Sequence, residues 1–267
     1  MASRDLQAAA EALARASYAI ALVGAGISVE SGIPPFRGVG GLWTKHGEPP
    51  MDGYQRFLGD PAAGWRDMLA RRNSDDEFTR ALRDAAPNEA HFALARLEGA
   101  GVIRHTITKN VDNLHFLAGS IAVTEIHGNR TKLRCIGCGQ RWPVEDVDLT
   151  ELPPACTACG ELVKSDTVMF GEPIPETALR ECHAQASRAD CILVVGTSAT
   201  VFPAASFTEI VLERGGAIVE VNAEPTPLSR HAAASLRGAA GVVLPQLAET
   251  VAGLREGART DPRGDRR

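Results

Sequence analysis

The chain has 267 residues, which suits one large domain or one domain with a small insert. Its 44% hydrophobic and 23% charged residues are typical of an ordinary globular protein. The formal net charge of −5 and the lack of a dense Lys/Arg block argue against nucleic-acid partners, and no apolar run is long enough to span a membrane. No signal-peptide core follows the N-terminus, so we expect a cytoplasmic protein.

The first elements in chain order are a helix, a strand and a glycine turn. Residues 5–17 have the periodicity of an amphipathic helix, and the continuous apolar run 19–23 predicts a strand buried on both faces. A strand that leads into Gly24-Ala25-Gly26 is typical of a nucleotide-binding βα unit. Ser28 would then open a short helix whose N–H groups favour phosphate. A tight structural turn is an equally good interpretation of Gly-x-Gly alone.

Most of the remaining chain alternates helices with strands. Short helices are expected up to about residue 84, and the strands that follow are predicted over 102–108, 122–126, 190–195, 217–221 and 242–244. The helices between and after them are predicted over 89–97, 175–188, 203–214 and a last segment that closes near Leu254. This alternation predicts a mostly parallel, doubly wound α/β sheet of the Rossmann type.

Four of the six cysteines stand in two close pairs inside a segment that breaks this alternation. Two residues separate Cys135 from Cys138 and Cys156 from Cys159, and seventeen residues lie between the pairs. Such a pattern can surround one tetrahedral zinc ion and leaves no open position for water, so the metal would be structural. Two redox-active Cys-x-x-Cys sites are the alternative.

These patterns together define the expected domains. Residues 1–128 and 171–254 would form the Rossmann-like nucleotide-binding domain, and residues 129–170 would form an inserted zinc-binding module. The charged segment 255–267 contains Gly and Pro, and we expect it to be disordered.

Polar residues or glycines directly follow five of the strands. Because the carboxyl ends of parallel strands meet at one edge of a sheet, these residues would share one ligand site. They are Gly24, Lys109-Asn110, His127, Gly196-Thr197-Ser198 and Asn222.

The residue types at that edge suggest roles. His127 is a candidate general base, since imidazole accepts a proton near neutral pH, although a lone histidine is more often a packing residue. Asn110 and Asp112 would hold an amide and a sugar hydroxyl, or would only cap a loop. Asn222 and Glu224 would bind ribose, or would form an ordinary turn.

Seven segments in order resemble those of the sirtuins, the NAD-dependent protein-lysine deacylases. They are GAGISVESGIPPFRG, TKNVDNLH, IHGN, the four cysteines, VMFGEPIP, VGTSATVFPAA and VNAEPT. The likeness extends from about residue 10 to about residue 250. It departs from the family pattern at Pro35, which replaces the usual Asp or Thr, and at Lys109, which replaces the usual Gln and brings a charge near the nicotinamide ribose.

The resemblance implies a set of functional residues. NAD diphosphate would bind at Gly24, Ala25, Gly26 and Ser28, and nicotinamide at Ile33, Asn110 and Asp112. Phe36 would cover the reacting ribose and Arg37 would contact phosphate. The adenosine side would use Ser198, Asn222 and Ala240, and Lys109, Gly196, Thr197 and Glu224 complete the cofactor-binding set. Substrate contacts would come from Phe170, Gly171, Glu172 and Val201, and the acyl pocket would include Met68 and Arg71 unless the latter is only a solvated helix charge.

The implied partners are acyl-lysine proteins or peptides, and the implied reaction joins them to NAD. Nicotinamide would leave the ribose as the acyl oxygen attacks its anomeric carbon, and His127 would then take a proton from a ribose hydroxyl. The products would be free lysine, nicotinamide and O-acyl-ADP-ribose. Protein mono-ADP-ribosyl transfer, or a catalytically weak NAD-binding or zinc interaction module, are the alternatives.

Overall fold

A six-stranded parallel sheet forms the centre of the fold in the computed structural model, which describes residues 3–38, 40–199 and 202–260. Its strands are β1 (Ala19–Val23), β2 (Ile103–Thr108), β3 (Val123–Glu125), β7 (Cys191–Val195), β8 (Ala217–Asn222) and β9 (Ala234–Arg237). Their order in the sheet is β3-β2-β1-β7-β8-β9, so the chain moves outward in one direction from β1 and in the other from β7. This order confirms the predicted doubly wound, Rossmann-like sheet and places a topological switch point between β1 and β7.

Helices cover both faces of this sheet because alternate residues of its central strands point to opposite sides. Ala21 and Val23 of β1 pack with the helices α1 (Ser3–Arg15), α6 (Glu89–Gly99) and α10 (Ala240–Thr260). Ile20 and Leu22 pack on the other face with α8 (Glu176–Arg188) and α9 (Ala204–Glu213). All five residues of β1 are buried, as the continuous apolar run predicts.

The end of the chain differs from the prediction in two ways. The run 242–244 is not a strand, because it lies inside α10, and the last strand is β9 instead. The helix also continues to Thr260, so the disordered tail predicted over 255–267 does not begin at Arg255, and its part over 261–267 lies outside the described residues. Arg255 donates from Nη1 to the carbonyl of Ala100 at 2.9 Å, which anchors this extra length of helix to the turn after α6.

The cysteine-rich segment forms a second, antiparallel sheet of the strands β4 (Lys132–Cys135), β5 (Arg141–Pro143) and β6 (Val163–Ser165). Their order in the sheet is β5-β4-β6. Trp65 packs against this sheet and donates from Nε1 to the carbonyl of Val163 at 2.8 Å. It belongs to a run of helices that precedes α6: α2 (Leu42–His46), α3 (Gly53–Gly59), α4 (Pro61–Arg72) and α5 (Glu77–Asp84). One further short helix, α7 (Leu114–Leu117), follows β2.

We find no helix in the described parts of the chain with the length and apolarity that a bilayer crossing requires.

Candidate active site and zinc site

The glycine turn after β1 fits tightly against the turn after β7. Gly24 donates its N–H to the carbonyl of Val195 at 3.0 Å, and Gly26 donates to the carbonyl of Gly196 at 2.9 Å. A Cβ on Gly26 would lie 2.6 Å from the Gly196 Cα, so a side chain has no room there. The two turns therefore form one glycine-lined floor at the topological switch point, where doubly wound sheets bind nucleotides.

The helix after this turn begins earlier than predicted. A 3-10 helix spans Ala25–Ser31, with Gly24 as its N-cap and Gly32 in the left-handed conformation at its end. Ser28 lies inside this helix and is buried, so it does not open the helix as expected. Its hydroxyl bonds instead to side chains of the loop that follows β2.

A buried polar triad connects the 3-10 helix to the end of β2. The Ser28 hydroxyl donates to Asp112 Oδ2 at 2.7 Å, and Asn110 Nδ2 donates to Ser28 Oγ at 3.1 Å. The second Asp112 oxygen accepts from the N–H of Leu114 at 3.0 Å, so the capping role expected as an alternative is also present. Ile33, 6% exposed, is bonded through its N–H to the carbonyl of Ser28.

The amide oxygen of Asn110 is the unusual atom in this triad. It is buried and has no hydrogen-bond partner among the described residues. A buried carbonyl oxygen without a donor is costly, and such atoms are rare in folded proteins unless a ligand or water satisfies them. A primary carboxamide such as that of nicotinamide would supply the missing N–H, so these residues fit NAD.

His127 lies on the same edge, two residues after the end of β3. Its Nδ1 lies 3.2 Å from the carbonyl oxygen of Lys109. A carbonyl only accepts, so Nδ1 carries the proton and Nε2 of the neutral ring is the atom that can accept one. Burial lowers the pKa of His127 below its ordinary value, and the nearby Lys109 charge adds to this although the carbonyl bond opposes it. The ring is therefore neutral near pH 7.

Lys109 itself is perturbed. Burial, with a further contribution from Arg37, lowers the pKa of Lys109 to about 8. Lys109, which replaces the usual glutamine, therefore loses its proton more readily than an ordinary lysine does.

The loop after the 3-10 helix carries an aromatic stack. Phe36 contacts Trp43 with ring centroids 5.0 Å apart, and Trp43 contacts Phe170 at 5.7 Å. Arg37 lies over the Trp43 ring at 4.5 Å and pairs with Glu48 at 2.8 Å. The stack joins the loop that would cover a nucleotide to the segment predicted to bind substrate.

The remaining predicted nucleotide contacts lie after β7 and β8. Asn222 donates from Nδ2 to the carbonyl of Thr197 at 2.9 Å, which ties the two strand ends together. Ser198 is exposed beside them. Arg237 donates from Nη1 to the backbone carbonyl of Glu224 at 2.8 Å. Ala240 is the first residue of α10, and the following Gly241 donates its N–H to the Glu30 carboxylate.

The four paired cysteines converge on one point. Their sulfur atoms all lie within 4.8 Å of one another, with Cys135 and Cys159 at 3.4 Å and Cys138 and Cys156 at 3.7 Å. A tetrahedral zinc ion with bonds of about 2.3 Å separates its sulfur ligands by roughly 3.8 Å, so the cluster fits zinc. The closest sulfurs come from different Cys-x-x-Cys pairs, which is unlike two independent redox sites.

The predicted substrate residues have mixed surroundings. The carbonyls of Phe170 and Gly171 accept from Tyr54 N at 3.0 Å and Gln55 Nε2 at 3.3 Å. The Glu172 side chain is only 3% exposed and pairs with Arg134 and Lys164, so it is not available to a substrate. Val201 lies outside the described residues. On α4, Met68 packs with the apolar cluster around Trp65, and Arg71 is exposed.

The fold and site together define a nucleotide-binding α/β protein with an inserted four-cysteine zinc ribbon. The Sir2 family model matches residues 24–203, and the chain belongs to this family. An NAD-dependent protein deacylase of Thermococcus kodakarensis is 45% identical over 91% of this chain and 94% of the relative. A Pyrococcus furiosus protein of the same name is 44% identical over 90% and 95%.

Solved structures agree with these relatives. A Sir2 homologue in complex with NAD matches with a TM-score of 0.76 and 40% identity over 96% of both chains. A Sir2 variant with a deacetylated p53 peptide and 3′-O-acetyl ADP-ribose matches with a TM-score of 0.72 and 34% identity, covering 90% of this chain and 96% of the other.

Proposed function

We propose that this chain is an NAD-dependent protein-lysine deacylase that transfers the acyl group of a modified lysine to ADP-ribose. One observation carries the proposal: the unpartnered Asn110 amide oxygen lies buried beside the glycine floor, on the same sheet edge as a neutral His127. The names of the relatives and the NAD complex of a solved neighbour support the same activity.

NAD would lie along the switch point. Gly24, Ala25, Gly26 and Ser28 would take its diphosphate, since only glycine permits the close approach of the two turns there. Asn110, Asp112 and Ile33 would hold the nicotinamide, with Asn110 accepting from the carboxamide. Arg37 and Phe36 would close over the phosphate and the ribose, and Lys109 would face that ribose. The adenosine half would extend over Gly196, Thr197, Ser198, Asn222, Glu224 and Ala240.

Bound NAD would supply a ribosyl carbon from which nicotinamide can leave. The chain's own task is to orient that carbon toward the acyl oxygen and to exclude water, which the Phe36 and Trp43 stack can do above the ribose. His127 would then take a ribose hydroxyl proton at Nε2, while its Nδ1–H stays on the Lys109 carbonyl. Phe36 and His127 thus act on the same sugar.

The substrate is an acyl-lysine in a protein or peptide. Phe170, Gly171 and Val201 would flank an extended substrate chain through their backbone, and Glu172 would shape this edge rather than contact the substrate. A neutral acyl group is favoured, because Met68 faces an apolar cluster and Arg71 alone must pair a succinyl carboxylate. Acetyl peptide should thus be processed at least as efficiently as succinyl peptide of identical sequence, with Arg71→Met lowering mainly the succinyl rate. A tenfold succinyl preference would contradict this.

Zinc would be structural, held by Cys135, Cys138, Cys156 and Cys159 in the inserted module. We assign residues 129–170 to this module and residues 1–128 and 171–254 to the NAD-binding domain. Four thiolate ligands need a reducing compartment, which favours the cytoplasm. The net charge of −5 gives no electrostatic reason to expect a nucleic-acid partner.

The test is incubation of the purified protein with an acetyl-lysine peptide, with and without NAD, followed by peptide mass spectrometry. If the chain is a deacylase, the peptide should lose one acetyl group only when NAD is present, and nicotinamide should be released in equal amount. A gain of ADP-ribose on protein would instead support mono-ADP-ribosyl transfer. No change in peptide or NAD would support a binding module and refute the proposal.

A further inference from the structure

Charged side chains are concentrated where the zinc ribbon meets the NAD-binding sheet. Three carboxylates there have side chains no more than 3% exposed: Glu125, Asp166 and Glu172. Four cations contact them: Lys132, Arg134, Arg141 and Lys164. We call these seven residues the ion cluster. Buried carboxylates are costly unless well paired, so an arrangement of this size calls for a reason.

Asp166 holds the loop that carries His127. Its Oδ2 accepts the N–H of Asn129 at 2.8 Å, two residues beyond the histidine. The carbonyl of His127 accepts the N–H of Val168 at 2.9 Å, two residues beyond the aspartate. Between them Gly128 has a φ of +74°, and a Cβ there would lie 2.0 Å from the Asp166 carbonyl oxygen. The backbone on the C-terminal side of His127 is therefore fixed against Asp166, which directly follows β6.

Glu172 organises the substrate edge in the same way. One of its oxygens accepts the N–H of Met169 at 2.8 Å, which closes the turn around Phe170 and Gly171. Lys164, whose side chain is fully buried, pairs with that oxygen at 3.0 Å. The Glu172 carboxylate thus sets the path of the backbone that would flank an acyl-lysine peptide.

One guanidinium connects the two carboxylates. Arg134 donates from Nε to Asp166 Oδ1 at 3.2 Å and from Nη2 to Glu172 Oε1 at 2.6 Å. Arg134 directly precedes the metal-ligating Cys135 on β4, so its backbone position depends on the cysteine cluster. A planar guanidinium can make both bonds at once, whereas a lysine ammonium is a single point of charge.

We propose that Arg134 is a positioning residue that aligns the His127 loop and the substrate edge with each other, through Asp166 on one arm and Glu172 on the other. This inference rests on the proposed deacylase activity. The two arms are the Arg134–Asp166 and Arg134–Glu172 contacts, and they affect different steps of the reaction. The first fixes the loop of the proton acceptor, and the second fixes the peptide-binding edge. Damage to each arm therefore has its own kinetic signature, which general destabilisation does not have.

The experiment compares Asp166→Asn, Glu172→Gln and Arg134→Lys with the wild type. Asp148→Asn is the matched control, since this exposed residue of the zinc ribbon lies outside the ion cluster and accepts the N–H of Thr150, which an asparagine oxygen can also accept. Asp166→Asn should lower kcat roughly tenfold or more and leave the KM of peptide and NAD within about threefold. Glu172→Gln should raise the peptide KM roughly tenfold with kcat within about threefold. Arg134→Lys should combine both effects, and each variant should retain zinc.

Hydrogen exchange followed by mass spectrometry gives a second readout that does not depend on activity. Asp166→Asn should speed exchange in residues 127–130, and Glu172→Gln should speed it in residues 168–172. Identical kinetic defects in both variants, zinc loss that parallels activity loss, or wild-type behaviour of Arg134→Lys would overturn the proposal. An inactive wild type would refute the deacylase activity, while local exchange would still report on the two arms.

Discussion

Substituting Gly26 by alanine tests whether the glycine floor requires glycine at this position, because the structure shows which atoms the added Cβ would overlap. The added Cβ would lie 2.6 Å from Gly196 Cα and 2.8 Å from its carbonyl oxygen, where about 3.4 Å is the lower limit of ordinary contact. Both atoms belong to the backbone of Gly196, directly after the buried strand β7 that pairs with β1, so neither can rotate away. The two turns must therefore separate by about 0.8 Å.

The expected cost is about 1–3 kcal/mol in the free energy of unfolding, which is typical for overpacking. For a domain of this size that cost lowers Tm by a few degrees up to roughly 10 °C. The amides that would bind NAD diphosphate move with the turn, so the KM for NAD should rise about tenfold or more, and the peptide KM should change little.

The assay is nicotinamide release at varied NAD, together with calorimetric titration of NAD. Gly59→Ala is the control, because a Cβ at this exposed helical position meets no atom within 4 Å. If Gly26→Ala kept the wild-type Tm and an NAD KM within about twofold of the wild type, close packing of the two turns would not require glycine at this position.

Three other substitutions and one pH profile address the base and the metal. His127→Ala should abolish deacylation and leave the Kd for NAD within a few-fold, and turnover above about a tenth of the wild type would exclude His127 as the base. Cys135→Ser should lose zinc by elemental analysis and lower Tm, because one missing thiolate opens the tetrahedral site; active wild-type protein without zinc would count against the assignment. Since burial lowers the pKa of His127 below 6.5 and the base must be neutral, kcat/KM should stay level above pH 6.5 and fall only on the acid side of it. Lys109→Gln removes a charge that contributes to this shift, so the acid limb should move to higher pH, and a limb that moves lower would contradict the assignment.

The features that could be predicted from sequence are those that local pattern specifies. The continuous apolar runs of β1 and β7 identified the central strands, and the glycine and polar residues after them identified the edge where the site lies. The cysteine spacing identified the metal cluster as well, since two Cys-x-x-Cys pairs joined by a spacer of seventeen residues can surround one tetrahedral ion.

The errors arose where long-range contacts decide the structure. Residues 242–244 are apolar enough for a buried strand or a buried helix, and packing of α10 against α1 and α6 selects the helix. The true strand β9 contains the polar Ser235 and Arg237, which are satisfied by the buried Glu220 on β8. No local pattern indicates that pairing.

The site has the same limit. Glu172 stands in a segment that resembles a substrate edge, but its carboxylate is used by Arg134 and Lys164 from the zinc ribbon. The role of Asp166 was missed as well. A lone aspartate between β6 and the substrate edge was the available signal, and only the fold brings it next to Asn129.

The most direct test of the central claim follows the acyl group itself. The purified protein would receive NAD and a peptide whose lysine carries a carbon-13 acetyl group, and the products would be separated and identified by mass spectrometry and NMR. We expect the label on ADP-ribose, in equal amount with free lysine peptide and nicotinamide. Label recovered from the outset as free acetate, without acetylated ADP-ribose, would contradict transfer to the ribose and with it the role of His127.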